Sequence, residues 1–304
     1  MTDVPGSATL APGSPHIFGD SSAAELAARF GLARAGARPP LVRYLGDLWA
    51  RRHFIASYTR ASNAVVYSSS FLGQIWQILT PLLNAGVYFL IFGLLLGTRS
   101  GTHNYIGYLT IGIFVFTYMQ NSIIHGSRSV TSNLNIIRAL HFPRASLPLG
   151  TTAIAFQQLI ASLLAMVPIV LITGEPLRLA WLLLVPILLV ESLFALGCAL
   201  IVARIGAAVP DTSQILPFLL RTWLYTSGIF YNIQTFTKHH GPWVRGILEY
   251  NPGAIYPELV RHALLTHQLP MTPHAWTAAV GWAVVAFVVG LVYFWQGEER
   301  YGRG

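Results

Sequence analysis

Between residues 75 and 296 the chain returns repeatedly to long apolar runs. A helix needs about 20 mainly apolar residues to cross the hydrocarbon core of a bilayer. Candidate spans cover 76–97, 105–125, 147–173, 180–203, 215–231 and 276–295. The third holds no charged side chain, and only the turn at Gly174, Glu175 and Pro176 divides it from the fourth. The fold class expected is therefore all-α: a polytopic membrane protein with six transmembrane helices and both termini on one side. Composition agrees, since charged residues make up 10% of the chain against about 25% in soluble domains.

Arginine placement orients the spans, because short cytoplasmic loops gather positive charge. Arg29, Arg34, Arg38, Arg43, Arg51, Arg52, Arg60, Arg128, Arg138, Arg144, Arg204, Arg300 and Arg303 fall on one side, and Arg99, Arg178, Lys238, Arg245 and Arg261 on the other, which is 13 against 5 with Arg221 inside a span. Both termini are expected to be cytoplasmic, in a plasma-membrane protein. The net charge of +8 comes almost wholly from these arginines. They flank apolar segments and form no soluble basic face, which argues against nucleic-acid binding.

Several chemistries are excluded by absence. Lys238 is the single lysine, set between Phe236-Thr237 and His239-His240, so no P-loop can form. Any ATP that drives this protein must be hydrolysed by another chain. Cys198 is the single cysteine and allows neither an intrachain disulfide nor a cysteine metal site. The ten histidines show no metal-ligand spacing, so no metal site is expected. The first 40 residues carry no apolar run of signal-peptide type and read as a flexible cytoplasmic tail.

Two segments look ordered without spanning. Leu41, Tyr44, Leu45, Leu48, Trp49 and Ile55 repeat at helical spacing, with Arg43, Asp47 and Arg51 opposite. That pattern predicts an amphipathic interface helix, with its lead-in, over 41–74. The 232–275 loop is too apolar for a plain connection, and Pro242, Pro252, Pro257 and Pro270 break it into short pieces. Re-entrant extracellular helices are expected there. The transmembrane domain then covers 75–296, and 297–304 is a cytoplasmic C-terminus.

The order of parts over about residues 40–300 resembles an ABC-2-type polysaccharide-export permease. Leu72, Gly73, Trp76, Leu79, Pro81 and Leu82 match that family's lead-in to its first span, Leu-Gly-x-x-Trp-x-x-Leu-x-Pro-Leu. Asp211 stands where the family often has Arg-Asp, here with Pro210 in the arginine's place; Ser227-Gly228-Ile229-Phe230-Tyr231 and Asn251-Pro252 follow. Within the family the chain is similar to the Wzm-type permeases that export lipid-linked galactan of actinobacterial cell walls. The resemblance implies a non-catalytic homodimeric subunit working with two copies of a Wzt-type ATPase. ATP and Mg would be used by that partner, with no cofactor on this chain. It also implies a short coupling helix between spans two and three, which here falls on Asn133, Leu134, Asn135, Ile136, Ile137, Arg138, His141 and Phe142. The substrate would be an undecaprenyl-pyrophosphate-linked glycan.

Such a substrate makes two chemical demands. Pyrophosphate calls for cations, and Arg51, Arg52, His53 and Arg60 cluster at the expected interface. Positive-inside bias and contact with membrane lipids account for the same residues. Sugars call for aromatic faces with hydrogen-bonding neighbours, and Tyr88, Phe89, Phe114, Tyr118, Trp223, Tyr225, Phe230 and Tyr231 supply them on spans one, two and five. Packing or an interfacial belt explains any single ring equally. Spans three and four read as lipid-facing. Pro217 and Gly228 bracket a stretch of span five able to bend as a gate or to hold a fixed kink. Arg221 in span five and Glu191 in span four are intramembrane charges, either a structural pair or groups that meet substrate. Alternatives remain: an exporter of another glycan, a teichoic-acid-like polymer, a small lipid or a drug; a membrane glycosyltransferase or lipid phosphatase; or a proton-coupled carrier using Glu191.

Overall fold

The computed structural model describes residues 39–68, 73–97, 103–140, 142–239, 241–266, 271–272, 274–299 and 301. The N-terminal tail, Leu72 of the lead-in motif and His141 of the coupling segment lie outside the described residues. No strand occurs among the described residues. The helices are α1 (Leu41–Ala50), α2 (Arg52–Ser68), α3 (Trp76–Tyr88), α4 (Tyr105–Arg128), α5 (Leu134–Ala139), α6 (Ser146–Ile172), α7 (Leu184–Ala208), α8 (Thr212–Thr226), α9 (Ile233–Phe236), α10 (Pro242–Glu249), α11 (Pro252–Leu264) and α12 (Ala275–Gln296). A π-helical stretch, Phe89–Leu95, prolongs α3, and a tight turn, Leu179–Leu183, leads into α7. The predicted interface helix is two helices, broken at Arg51.

Four helices are both long and apolar enough to cross a membrane: α3 with its extension, α6, α7 with its lead-in, and α12. The other two expected spans differ for physical reasons. At 24 residues, or about 36 Å, α4 has the length but is less apolar. It is the central helix, and the middle from Thr110 to Phe116 is buried throughout. Shielded by its neighbours, it carries tyrosine, threonine and glycine where lipid contact would demand leucine. By contrast α8 has 15 residues, about 22 Å. It ends before Gly228, which adopts a left-handed φ of 61°.

Spans three and four were expected to face lipid; α6 stays largely open, with 28% of its most apolar stretch buried, and only α7 departs from that expectation. Of the four apolar spans α7 is the most enclosed: 44% of its most apolar window is buried, against 17% in α3. Its small residues explain why. A Cβ on Gly197 would overlap the α12 backbone at Ala286, and one on Gly290 would overlap the Gly197 carbonyl. On the α4 side, Gly206 lies against the Ser127 carbonyl and Gly126 against Ala199. Small residues let helix backbones approach, which is how membrane helices pack without a hydrophobic drive.

Prolines in the spans are compensated across helices. A helical proline leaves the carbonyl four residues earlier without its donor. In α3, Pro81 frees the Gln77 carbonyl, and Ser162 Oγ of α6 lies 3.3 Å from it while also donating to the Gln158 carbonyl at 2.9 Å. In α8, Pro217 frees the Ser213 carbonyl, which accepts from Arg128 Nη2 of α4 at 3.1 Å. Both prolines therefore fasten neighbouring helices together.

At the end of the bundle that carries α1, one buried hub joins three distant segments. Tyr44 Oη donates to Glu298 Oε2 at 2.9 Å and accepts from the Ala145 amide at 3.0 Å. Glu298 Oε1 accepts from the Arg144 amide at 2.9 Å. The interface helix, the start of α6 and the segment after α12 are thus locked to one carboxyl. Burial raises that carboxyl above its ordinary range, outweighing the hydrogen bonds from Arg144 and Tyr44 that lower it. The folded chain accordingly holds this proton more tightly than the unfolded chain does. Its contribution is full below the ordinary carboxylate range and is lost as pH rises through the elevated value. Glu298→Gln should therefore gain stability relative to wild type as pH rises from acid to neutral. Thermal unfolding in detergent across that range checks this, and a pH-independent difference would refute it.

Candidate functional site

The main cavity described is a half-open cleft of about 660 Å³ between α2, α3, α4 and α6, reaching the segment before α5. Gln77, Thr80 and Asn84 come from α3. Phe114, Thr117, Tyr118, Gln120, Asn121, His125 and Arg128 come from α4, and Thr151, Ile154, Gln158 and Ser162 from α6. Each set recurs every three or four residues, so each marks one helix face. Tyr58, Ser62 and Trp76 close one side and Asn133 one end. Tyr58 Oη donates to Asn133 Oδ1 at 3.2 Å, and Asn133 Nδ2 donates to the Ser129 carbonyl at 2.8 Å. Among the described residues, no acidic residue lines the cleft.

The expected glycan-channel residues separate into groups. Phe114 and Tyr118 line the cleft, and Tyr118 Oη donates to Ser192 at 2.8 Å. Tyr88 and Tyr225 instead pack on Phe230, with ring centroids 4.8 and 5.5 Å away, and Phe92 of the π stretch stacks on it at 4.3 Å. Phe230 is fully buried in this cluster. Tyr231 packs on Phe236 and Phe89 against Tyr105. Trp223 lies edge-on to Phe116 and donates from Nε1 to Asn251 Oδ1 at 2.7 Å. Arg221 is exposed on α8. Both Glu191 oxygens are buried with no hydrogen-bond partner among the described residues. The expected Arg221–Glu191 pair is therefore not formed, because the two side chains face different surroundings.

Arg51, Arg52, His53 and Arg60 are all exposed. Arg52 lies over the Trp49 ring at 5.5 Å and donates to the Trp49 carbonyl. None of the four lines the cleft. In the coupling segment Ile137 faces inward, packed with the cluster of Tyr44, Val130, Ala145 and Leu147. Asn135 and Leu140 face outward.

Gly228, expected in a gate, forms a tightly held turn. Its carbonyl accepts from Tyr108 Oη at 2.9 Å, Tyr105 Oη reaches the Phe230 carbonyl at 2.9 Å, and a Cβ on Gly228 would meet Ile233 at 2.5 Å. Sequence reasoning missed the residue at the centre, Arg261. Its buried guanidinium donates to the carbonyls of Tyr108 (3.0 Å), Gly228 (3.3 Å) and Ile229 (3.2 Å), and lies 3.4 Å from the Tyr108 ring centroid. Gly112 leaves room for it. Its only sequence signal was an arginine inside an otherwise apolar run of the 232–275 loop. A planar fork is what several carbonyls and a ring face require. Arg261→Met is expected to destabilise the protein by about 2–3 kcal/mol, and Arg261→Lys should not restore it. Unfolding midpoints and protease cutting within 227–239 measure this; unchanged cutting would show that the clamp is dispensable.

The helical bundle, with four helices long and apolar enough to cross a membrane and a polar cleft among them, defines a membrane protein. The profile of the ABC-2 type transporter family matches residues 54–265, and the chain belongs to that family. Two relatives from Klebsiella pneumoniae, each an O-antigen export system permease protein RfbA, are 25% and 26% identical over 210 residues. That alignment covers 69% of this chain and 76% of each relative.

Proposed function

We propose that this chain is the membrane-spanning subunit of an ABC exporter for an undecaprenyl-pyrophosphate-linked polysaccharide, with cell-wall galactan as cargo. Two copies of the chain work with two copies of a separate ATPase, which uses ATP and Mg. The family membership, the printed role of the Klebsiella relatives and the missing P-loop lysine support this division of labour. The observation that carries the reading is the cleft of carboxamides and hydroxyls inside an apolar bundle. A wholly apolar cargo has no need of it. In this reading α4 and α8 complete a set of six spans, both termini are cytoplasmic, and α9 to α11 dip into the outer leaflet. The segment 133–142 contacts the ATPase, the exposed arginines of α1 and α2 meet headgroups, and the Pro217–Gly228 stretch of span five forms the gate.

The test is to purify the chain with its ATPase in lipid and measure ATP hydrolysis. Stimulation by lipid-linked galactan, and not by the same lipid pyrophosphate bearing another sugar, is the expected result. Equal stimulation by every glycan removes the galactan assignment. No stimulation by any of them removes the exporter reading.

A further inference from the structure

Between α3, α4 and α6, we infer that the 660 Å³ cleft is an uncharged-sugar binding site within a single protomer, loading the glycan beside the coupling segment. The inference rests on the export reading and gives this cavity a ligand. Its volume is that of a small-molecule site, sufficient for a short oligosaccharide. The wall chemistry selects the ligand. Gln77, Asn84, Gln120, Asn121 and Gln158 offer paired donors and acceptors, as sugar hydroxyls require. Trp76 adds an aromatic face for the apolar side of a sugar ring.

Charge rules out a pyrophosphate in the same place. Among the described residues Arg128 is the one arginine on the wall, and its Nη2 is already committed to the Ser213 carbonyl. It also ends α4, where the helix dipole is negative and repels anions. With no carboxylate on the wall, a cationic ligand is equally unsuited. A neutral, hydroxyl-rich chain remains. Asn133 is both a wall residue and the N-terminal neighbour of α5, tied to Tyr58 of α2. Movement of α5 would therefore be felt directly in the cleft.

The test uses the intact permease–ATPase complex and the fact that Cys198 is the single cysteine. In a Cys198→Ser background, Ser62→Cys and Asn84→Cys each place one thiol in the cleft, and Ala50→Cys places a control on the exposed face of α1, outside the cleft. A water-soluble maleimide reports access. The probes are a galactose tetrasaccharide without lipid or phosphate, and undecaprenyl pyrophosphate without sugar. The tetrasaccharide should slow labelling of both cleft thiols several-fold and leave the control unchanged. Gln158→Leu should raise the concentration required by about tenfold. Protection by the sugar-free lipid alone would overturn the inference, as would thiols already inaccessible without a probe, which would mean a second copy fills the cleft. Unprotected thiols in a complex whose ATPase is stimulated by lipid-linked glycan would also overturn it, with the export reading intact. Protection without any such stimulation would uphold the sugar site and sink the export reading.

Discussion

Gly197→Leu is expected to leave almost no folded protein. At this position α7 and α12 meet backbone to backbone, and the atoms an added Cβ would strike are the carbonyl carbon and oxygen of Ala286 and the amide of Phe287. Main chain in a helix cannot rotate aside as a flexible side chain can. The two helices would have to separate, and the contact of Gly290 with the Gly197 carbonyl would go with them. Overpacking of a core costs about 1–3 kcal/mol when side chains can adjust; here the loss should exceed that and consume a large part of a typical 5–15 kcal/mol stability. Gly281→Leu is the control. It lies on α12, the helix that Gly197 meets, with open space where its Cβ would go, and in a membrane span an added leucine there meets lipid. Gly281→Leu should elute as a single species with an unchanged unfolding midpoint, while Gly197→Leu aggregates or is degraded. Equal behaviour of the two variants would mean that this contact does not hold the bundle together.

The same contact shows what the sequence could and could not convey. Hydropathy located α3, α6, α7 and α12, because lipid contact enforces apolar composition. It located α4 as well, over 105–125, but did not show that its neighbours shield it and that its tyrosines bond the 228–231 turn. It overstated the lipid exposure of α7. Leucine and valine look the same in a window average whether they face lipid or a neighbouring helix, and the distinguishing residues were the small ones, Gly197, Ala199 and Gly206. The cleft was partly legible. Gln120 and Asn121 stand out in an apolar span, but Gln77 with Asn84 and Thr151 with Gln158 each sit seven residues apart. That spacing marks a polar stripe only once the helix face is followed and the average set aside. Arg261 was hidden for another reason: its partners are backbone carbonyls more than 30 residues away, and no side-chain pattern encodes a carbonyl.

Leu140→Asp should uncouple ATP hydrolysis from substrate without disturbing the fold. The segment proposed for coupling was picked out by its position, yet its two faces became distinct only in three dimensions. Ile137 is buried among Tyr44, Ala145 and Leu147 and anchors α5 to the hub that Glu298 organises. Leu140 follows α5 with half of its surface exposed (52%), and Asn135 lies on the exposed side as well. An exposed leucine just past a short helix at the arginine-rich end suits a groove on a partner protein better than open water. A charge placed at the centre of such a contact costs about 2 kcal/mol or more, or over tenfold in coupling. Surface substitutions elsewhere usually stay within about 0.5 kcal/mol, so the isolated permease should unfold at its normal midpoint. Ile137→Asp is the contrasting variant. It buries a charge inside the hub and should lower the midpoint and the stimulated ATPase rate together. Substrate-stimulated hydrolysis by the co-purified complex, read beside unfolding of the permease alone, separates the two. Retained stimulation in Leu140→Asp would move the ATPase contact off α5, to the exposed arginine-bearing face of α1 and α2.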